Sequence, residues 1–325
     1  MFDILGVTVL VVLAALFGWL AMRARRVQHR IAKWAGLSLA GILTVVFTVG
    51  LVVAFVGFYK LNVPPYRYPV AAVTIAAAPE QLARGERLTR LYCPACHSPT
   101  GKPPLVGQDF SKGGPPVGTL YVPNLTPAGE LSAWSDGEVI RAIREGVHRS
   151  GRPLVIMPSR VFRNLSDADV QALVAYLRSQ PAAGPTTPPP RLNVLAAVLI
   201  GAGVFHTSAQ PPITQPILAP AEGTSAEYGR YLVAILGCPL CHGDNLAGGT
   251  GRRSGPPPGP NLTQLVPRWN EGDFIHTLRT GIDPYNRTLA EGMPWKDISA
   301  FASDEDLKAI YAYVHALTPI QTPSR

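Results

Sequence analysis

The sequence predicts an all-α protein: an N-terminal transmembrane helical hairpin followed by two tandem copies of one helical domain. Three observations predict it. Two long uncharged apolar runs flank a short basic stretch near the start of the chain. From about residue 79 a set of short motifs occurs twice in the same order. Within those copies apolar residues recur at helical spacing, with little of the period-two alternation that marks strands.

The hairpin comes first, over residues 1–62. Ile4 to Met22 is uncharged and long enough to span a bilayer. A basic stretch from Arg23 to Lys33 follows, and Trp34 to Phe58 forms a second uncharged run. Trp19, Trp34 and Tyr59 stand near the run ends, where interfacial aromatics belong. A cleaved signal peptide is the competing reading of the first run. It is disfavoured because the chain begins Met-Phe-Asp without a charged n-region, and arginines follow the run where a cleavage site would lie. The positive-inside rule puts the basic loop in the cytoplasm, which sends everything after Tyr59 to the outer face. The expected location is the bacterial inner membrane, with the globular part periplasmic.

The two copies occupy residues 63–183, with a core from about 79, and residues 224–325. The first reads RGERL, CPACH, PNLT, WSDGEVIRAIREG, MP and SDADVQALVAYLRSQP; the second reads YGRYL, CPLCH, PNLT, WNEGDFIHTLRTG, MP and SDEDLKAIYAYVHALTP. Matching residues stand 145 apart at Cys93/Cys238 and 135 to 137 apart at Asn124/Asn261, Trp134/Trp269, Met157/Met293 and Tyr176/Tyr313. So long a period means two like domains and not a solenoid. Helices are expected over Asp136–Glu145 and Glu271–Thr280, and over Asp169–Ser179 and Asp306–Ala316. Ser166 and Ser303 serve the second pair as N-caps, and Pro181 and Pro319 follow as stops. With 33 prolines and 31 glycines, long ordered loops join them. Residues 184–223 form a proline-rich linker. Its apolar stretch Leu195–Phe205 is short for a third span, so it is expected to pack between domains or to lie on the membrane surface.

All four cysteines fall in Cys93-Pro94-Ala95-Cys96-His97 and Cys238-Pro239-Leu240-Cys241-His242, the attachment pattern of c-type haem. Two thiols one helical turn apart can bond the two vinyl groups on one porphyrin edge, and the adjoining histidine then reaches the iron. A zinc site would pair such motifs over a short gap, whereas Cys96 and Cys238 lie 142 positions apart. A thioredoxin-like pair would need a surrounding βαβ pattern. Two covalently bound haems c are therefore expected, with Cys93, Cys96, Cys238 and Cys241 as thioether sites and His97 and His242 as iron ligands. Of four methionines, Met157 and Met293 lie 60 and 51 residues beyond those histidines, each before a proline, and they are the expected sixth ligands. His148 and His276 compete for that role but have no histidine counterpart in the other copy, and they read as surface residues. Asn124, Asn261, Trp134 and Trp269 either line the haem crevice or hold loops. Tyr176 and Tyr313 read as packing residues on the last helix of each copy.

These motifs resemble a dihaem class I cytochrome c, and the repeats are similar to those of the membrane-bound cytochrome c subunits of bacterial dehydrogenases and respiratory complexes. The resemblance covers most of residues 79–182 and 224–319. It implies electron transfer between a donor, a dehydrogenase or quinol-oxidising complex, and an acceptor, a terminal oxidase or another carrier. It implies no catalysis by this chain. This sequence departs from the dehydrogenase subunits in carrying two haem motifs where three are usual and in its N-terminal hairpin, which leaves the partner open. A catalytic dihaem enzyme of peroxidase or thiosulfate-oxidising type is a further reading, as is a subunit of a cbb3-like oxidase. Histidine and methionine together fill both axial positions of an iron, which favours electron transfer over substrate chemistry.

The net charge of +8 excludes little. Five of the 29 basic residues and one of the 21 acidic ones lie within residues 1–59, leaving 24 against 20. Four haem propionates would bring that remainder near neutrality, so the basic balance is no argument for nucleic acid. The expected partners are a membrane and redox proteins.

Overall fold

The computed structural model describes residues 3–63, 70, 72–112, 116–249 and 258–322. It is mostly helical, with 53% of residues in helices and only two-residue strands among the described residues. Helix α1 (Ile4–Ala24) and helix α2 (Arg30–Asn62) form an antiparallel hairpin, and both are long and apolar enough to cross a bilayer. Asp3 caps α1 by accepting from the Gly6 amide, and Phe17 stacks on Phe47 across the pair at 5.5 Å. Most of the hairpin's large apolar side chains are exposed, as lipid-facing residues would be.

The first copy contains α3 (Pro79–Tyr92), the single turn α4 (Pro94–His97), α5 (Asp136–Glu145), the turn α6 (Ser159–Phe162) and α7 (Asp167–Ser179). After the linker helix α8 (Val194–Gly201), the second copy repeats the plan. Its helices are α9 (Ala226–Ile235), α10 (Pro239–His242), α11 (Leu262–Leu265), α12 (Glu271–Thr280), α13 (Trp295–Phe301) and α14 (Asp304–His315). The expected caps form. The Ser166 hydroxyl accepts from the Asp169 amide, and Ser303 with Asp306 makes a full capping box. Helices α5 and α12 each begin in a capping box and end on a left-handed glycine.

In each copy the first and last helices cross in backbone contact. A Cβ on Gly85 would sit 2.0 Å from the Ala172 carbonyl oxygen, and one on Gly229 would sit 1.8 Å from that of Ala309. Buried residues of both copies merge into one apolar cluster, so the two domains share a core. Their contact is ordered by matching carboxylates on α7 and α14. The Tyr231 hydroxyl of the second copy donates to Asp169 of the first, while the Arg87 guanidinium of the first donates to Asp306 of the second. Asp169 is held from its own domain as well, by a two-pronged bond from Arg84.

The linker is ordered and adheres to the first domain. Strand β1 (Gln108–Asp109) pairs with β3 (Tyr121–Val122), and β2 (Gly118–Thr119) pairs with β4 (Arg191–Leu192), which enters α8. Further along, Ser208 and Gln210 donate backbone hydrogen bonds to Leu154 and Glu145, and the Asp167 amide donates to Ile217. The apolar stretch expected either between domains or on the membrane surface forms α8, which packs on the hairpin. Ala197 joins Ala54 and Phe58 in a small apolar cluster, the Val194 amide donates to Asp3, and Lys60 donates to the Ile200 carbonyl. Gly57 makes this approach possible, since a Cβ there would lie 1.8 Å from the Ala197 carbonyl oxygen.

Gly85→Ala should destabilise the chain. Forcing the α3–α7 crossing apart costs about 1–3 kcal/mol, more than the roughly 1 kcal/mol that alanine gains over glycine in a helix. A lower denaturant midpoint by circular dichroism is the expected outcome, and an unchanged midpoint would contradict the crossing.

Candidate functional site

Each copy encloses an apolar cleft between its cysteine motif and the loop before α6 or α13. The first cysteine motif sits where it does because α3 runs straight into it: the Cys93 amide still donates to Thr89, and α4 begins at the next residue, whereas α9 reaches the second through a turn at the left-handed Gly237. Cys93, Cys96, His97 and Met157 line a cleft of about 430 Å³ in the first copy, continued by a smaller void of about 70 Å³. Cys238, Cys241, His242 and Met293 line one of about 640 Å³ in the second. The structure thus brings the eight residues singled out by sequence together in two sets of four.

The histidines are held as neutral imidazoles. A carbonyl oxygen can only accept, so His97 Nδ1 carries its proton and donates to Pro123 at 2.8 Å, as His242 Nδ1 does to Pro260 at 2.8 Å. The other ring nitrogen is then left with its lone pair. Burial disfavours the imidazolium and lowers His97 to about 4, and it lowers His242 in the same direction. All four cysteines are free thiols. Burial raises Cys93 and Cys238 to about 12 each, so they stay protonated. Among the described residues no three His, Cys, Asp or Glu side chains form a group that could hold a metal ion.

The residues present fit a c-type haem. Apolar side chains dominate both clefts: Leu154, Ile156, Phe162 and Val122 in the first, and Leu265, Phe274, Leu278 and Ile298 in the second. Each cleft also holds an unused donor that an acidic group could take. Trp269 Nε1 is buried in the second without a hydrogen-bond partner. In the first, Arg152 is half-buried near Glu130, and burial lowers its pKa.

Arg152 and Arg287 escape a reading of the sequence alone. They line corresponding clefts 135 residues apart, the same offset as the tryptophans, and that shared offset is the signal that could have found them. Their settings differ, since Arg287 is paired with Asp283 at 2.7 Å. His148, a surface residue by its sequence pattern, lines the first cleft instead. Its ring meets Trp134 edge-on at 4.7 Å, and it contacts Ser150 and Glu130. A β-bridge between Val147 and Pro153 closes the short loop that carries it. His276 is exposed, as expected.

The asparagines hold loops. Asn124 is fully buried, and its amide donates to Ala183 and Pro185 beyond α7 while its oxygen accepts from Thr126. Asn261 repeats this with Ile320, Thr322 and Thr263. Trp134 and Trp269 line the voids. Tyr176 packs at the α3 crossing beside Gly85, and neither it nor Tyr313 lines a cleft.

Over residues 80–177 and again over 224–314 the chain matches the family described as cytochrome c oxidase, cbb3-type, subunit III. It is 30% identical over 276 residues to a nicotinate dehydrogenase subunit of Pseudomonas putida, a match covering 78% of this chain and 23% of that one. It is 31% identical over 280 residues to the gluconate 2-dehydrogenase cytochrome c subunit of Pantoea cypripedii, covering 72% of this chain and 59% of that one. The fructose dehydrogenase cytochrome subunit of Gluconobacter japonicus is 25% identical over 275 residues, covering 77% and 55%. The chain thus spans less than two thirds of the length of each of these relatives.

Asn124→Ala should cost about 1–3 kcal/mol for the buried partners left unpaired and speed proteolysis after residue 183. A variant that stays as stable and protease-resistant as the parent would contradict the loop-holding role.

Proposed function

The chain belongs to the family of cbb3-type cytochrome c oxidase subunit III, and on that premise we propose that it is a membrane-anchored dihaem electron-transfer subunit. One observation carries the reading. In each copy the fold carries a methionine from 51 or 60 residues downstream onto the wall of the same apolar cleft as a Cys-x-x-Cys-His motif.

Cys93 and Cys96 would attach one haem c and Cys238 and Cys241 another, with His97 and Met157, and His242 and Met293, as axial ligands. A haem so bound supplies one-electron chemistry at iron. The chain's own residues supply the rest. Pro123 and Pro260 fix the histidine tautomers through their carbonyls. The apolar walls keep water away and favour the less charged state of whatever they enclose. Trp269 and Arg152 would offer donors to acidic groups at the clefts. The hairpin would hold both domains on the periplasmic face of the inner membrane, with the Arg23–Lys33 stretch in the cytoplasm.

The relatives support a dehydrogenase as electron donor, since all three bear names of dehydrogenase subunits. The matching family's name supports a second reading, a haem-bearing subunit of a cbb3-like oxidase.

Native membranes extracted in mild detergent and resolved on a native gel decide between these. A haem-stained band with two haems per chain, co-migrating with dehydrogenase subunits in mass spectrometry, is expected. Oxidase subunits in that band would establish the second reading, and a band without haem would refute both. Met157→Leu and Met293→Leu should each remove the native methionine-ligated absorption from one haem and spare the other.

A further inference from the structure

A side chain of the first domain reaches from one cleft to the backbone beside the other. Tyr92 lines the first cleft and precedes Cys93, and its hydroxyl donates to the Ile235 carbonyl oxygen at 2.8 Å. The next residue, Leu236, lines the second cleft, as does Cys238 two positions further on. Other interdomain hydrogen bonds among the described residues run between Arg87 and Asp306 or Phe301, Tyr231 and Asp169 or Ser166, and Arg160 and Asp244. None of those residues lines either cleft.

Resting on the dihaem reading above, we infer that Tyr92 is the electronic link between the two sites, a positioning residue through whose bonds one electron at a time tunnels from the reduced site to the oxidised one, the residue itself being neither oxidised nor reduced. Tunnelling decays more steeply across a van der Waals gap than along covalent and hydrogen bonds. The Tyr92 contact replaces such a gap with a hydrogen bond followed by continuous backbone. One site loses an electron and the other gains it; no bond breaks, and the phenol keeps its proton. Burial supports the last point, since it drives the Tyr92 pKa well upward and keeps the hydroxyl hydrogen in place. The ring is held by Phe162, edge-on at 5.0 Å, which also lines the first cleft.

The duplication makes the assignment sharper. The residue before the second cysteine motif, at the place of Tyr92, is Gly237, which has no side chain to reach back. The hydrogen-bonded link therefore comes from the first domain's side. It is a feature gained or kept by one copy and not a consequence of the shared fold.

The test uses the full chain with both haems in detergent. Flash photoreduction reads the rate at which the two haems equilibrate, and a redox titration reads both midpoint potentials and spectra. Tyr92→Phe removes only the hydroxyl and should slow equilibration several-fold, with potentials and spectra unchanged. Arg87→Gln removes an interdomain bond off the route and should leave the rate unchanged. An unaltered rate in Tyr92→Phe would overturn the inference, as would equal slowing in Arg87→Gln, which would trace the effect to domain orientation. A parent chain with fewer than two haems would instead overturn the reading on which the inference rests.

Discussion

Each domain depends on two helices crossing within backbone contact. The first helix leads to the cysteine motif and the last closes the domain, so their crossing fixes where the thiols and the histidine stand. Gly85 against Ala172 and Gly229 against Ala309 allow the backbones to touch. A side chain there would open the angle between the helices, and the cleft wall formed by the motif would move with it. The loops that complete the clefts have little regular structure and take their places from this frame. Asn124 and Asn261 fasten them by tying the loop after each cleft wall to the chain beyond the last helix. Close packing of small residues at one point thus fixes the position of the cleft walls at another.

Duplication then supplied a second use for the same surfaces. Asp169 and Asp306 both sit at the third position of a last helix, where an acidic side chain suits the exposed amides of the helix start. In the assembled chain each is also met by a residue of the other domain, Tyr231 or Arg87. The pattern is near-symmetric while the partners differ, phenol on one side and guanidinium on the other. The clefts diverge in the same manner. The first holds His148, Glu130 and a half-buried Arg152, whereas the second holds Arg287 closed on Asp283. Two clefts lined by the same Cys, His and Met types therefore stand in different electrostatic surroundings, which, on the proposed dihaem reading, is one of the levers by which a protein separates two potentials.

Much of this is legible in the sequence, and the division follows the range of the forces involved. Helices α5 and α12 are legible to the residue because capping serines, asparagines and glycines are local signals. The cysteine motifs are legible because the proposed thioether attachment would fix their spacing within one turn, and the methionines because the duplication sets each beside its twin. His148 defies its sequence pattern because the short loop that carries it, closed by a bridge between Val147 and Pro153, lies at the first cleft, a placement that spacing does not show. The lining contributed by Thr187, Pro188, Pro189 and Pro190 is equally hidden, since a linker has no period to show which surface it returns to. Arg152 is recoverable from its offset to Arg287, but a charged residue in a loop does not stand out until the surrounding cleft is known.

The placement of α8 bears on how the pieces act together. A proline-rich linker could have been a loose tether, leaving the domain pair to wander over the membrane. Here the chain passes from the first domain through the β2–β4 pair directly into α8. That helix is held at its start by Asp3, along its length by Gly57 and Ala54, and near its end by Lys60. The same linker supplies Thr187 to Pro190 to the wall of the first cleft only a few residues earlier. The first cleft and the hairpin are therefore consecutive parts of one hydrogen-bonded and packed path. With the hairpin in the bilayer, as proposed, that path fixes the height and tilt of the first site above the membrane. The second site inherits its position through the shared core and the Tyr92 and Tyr231 contacts. A protein that must hand electrons between fixed partners benefits from this rigidity, because tunnelling tolerates little variation in distance.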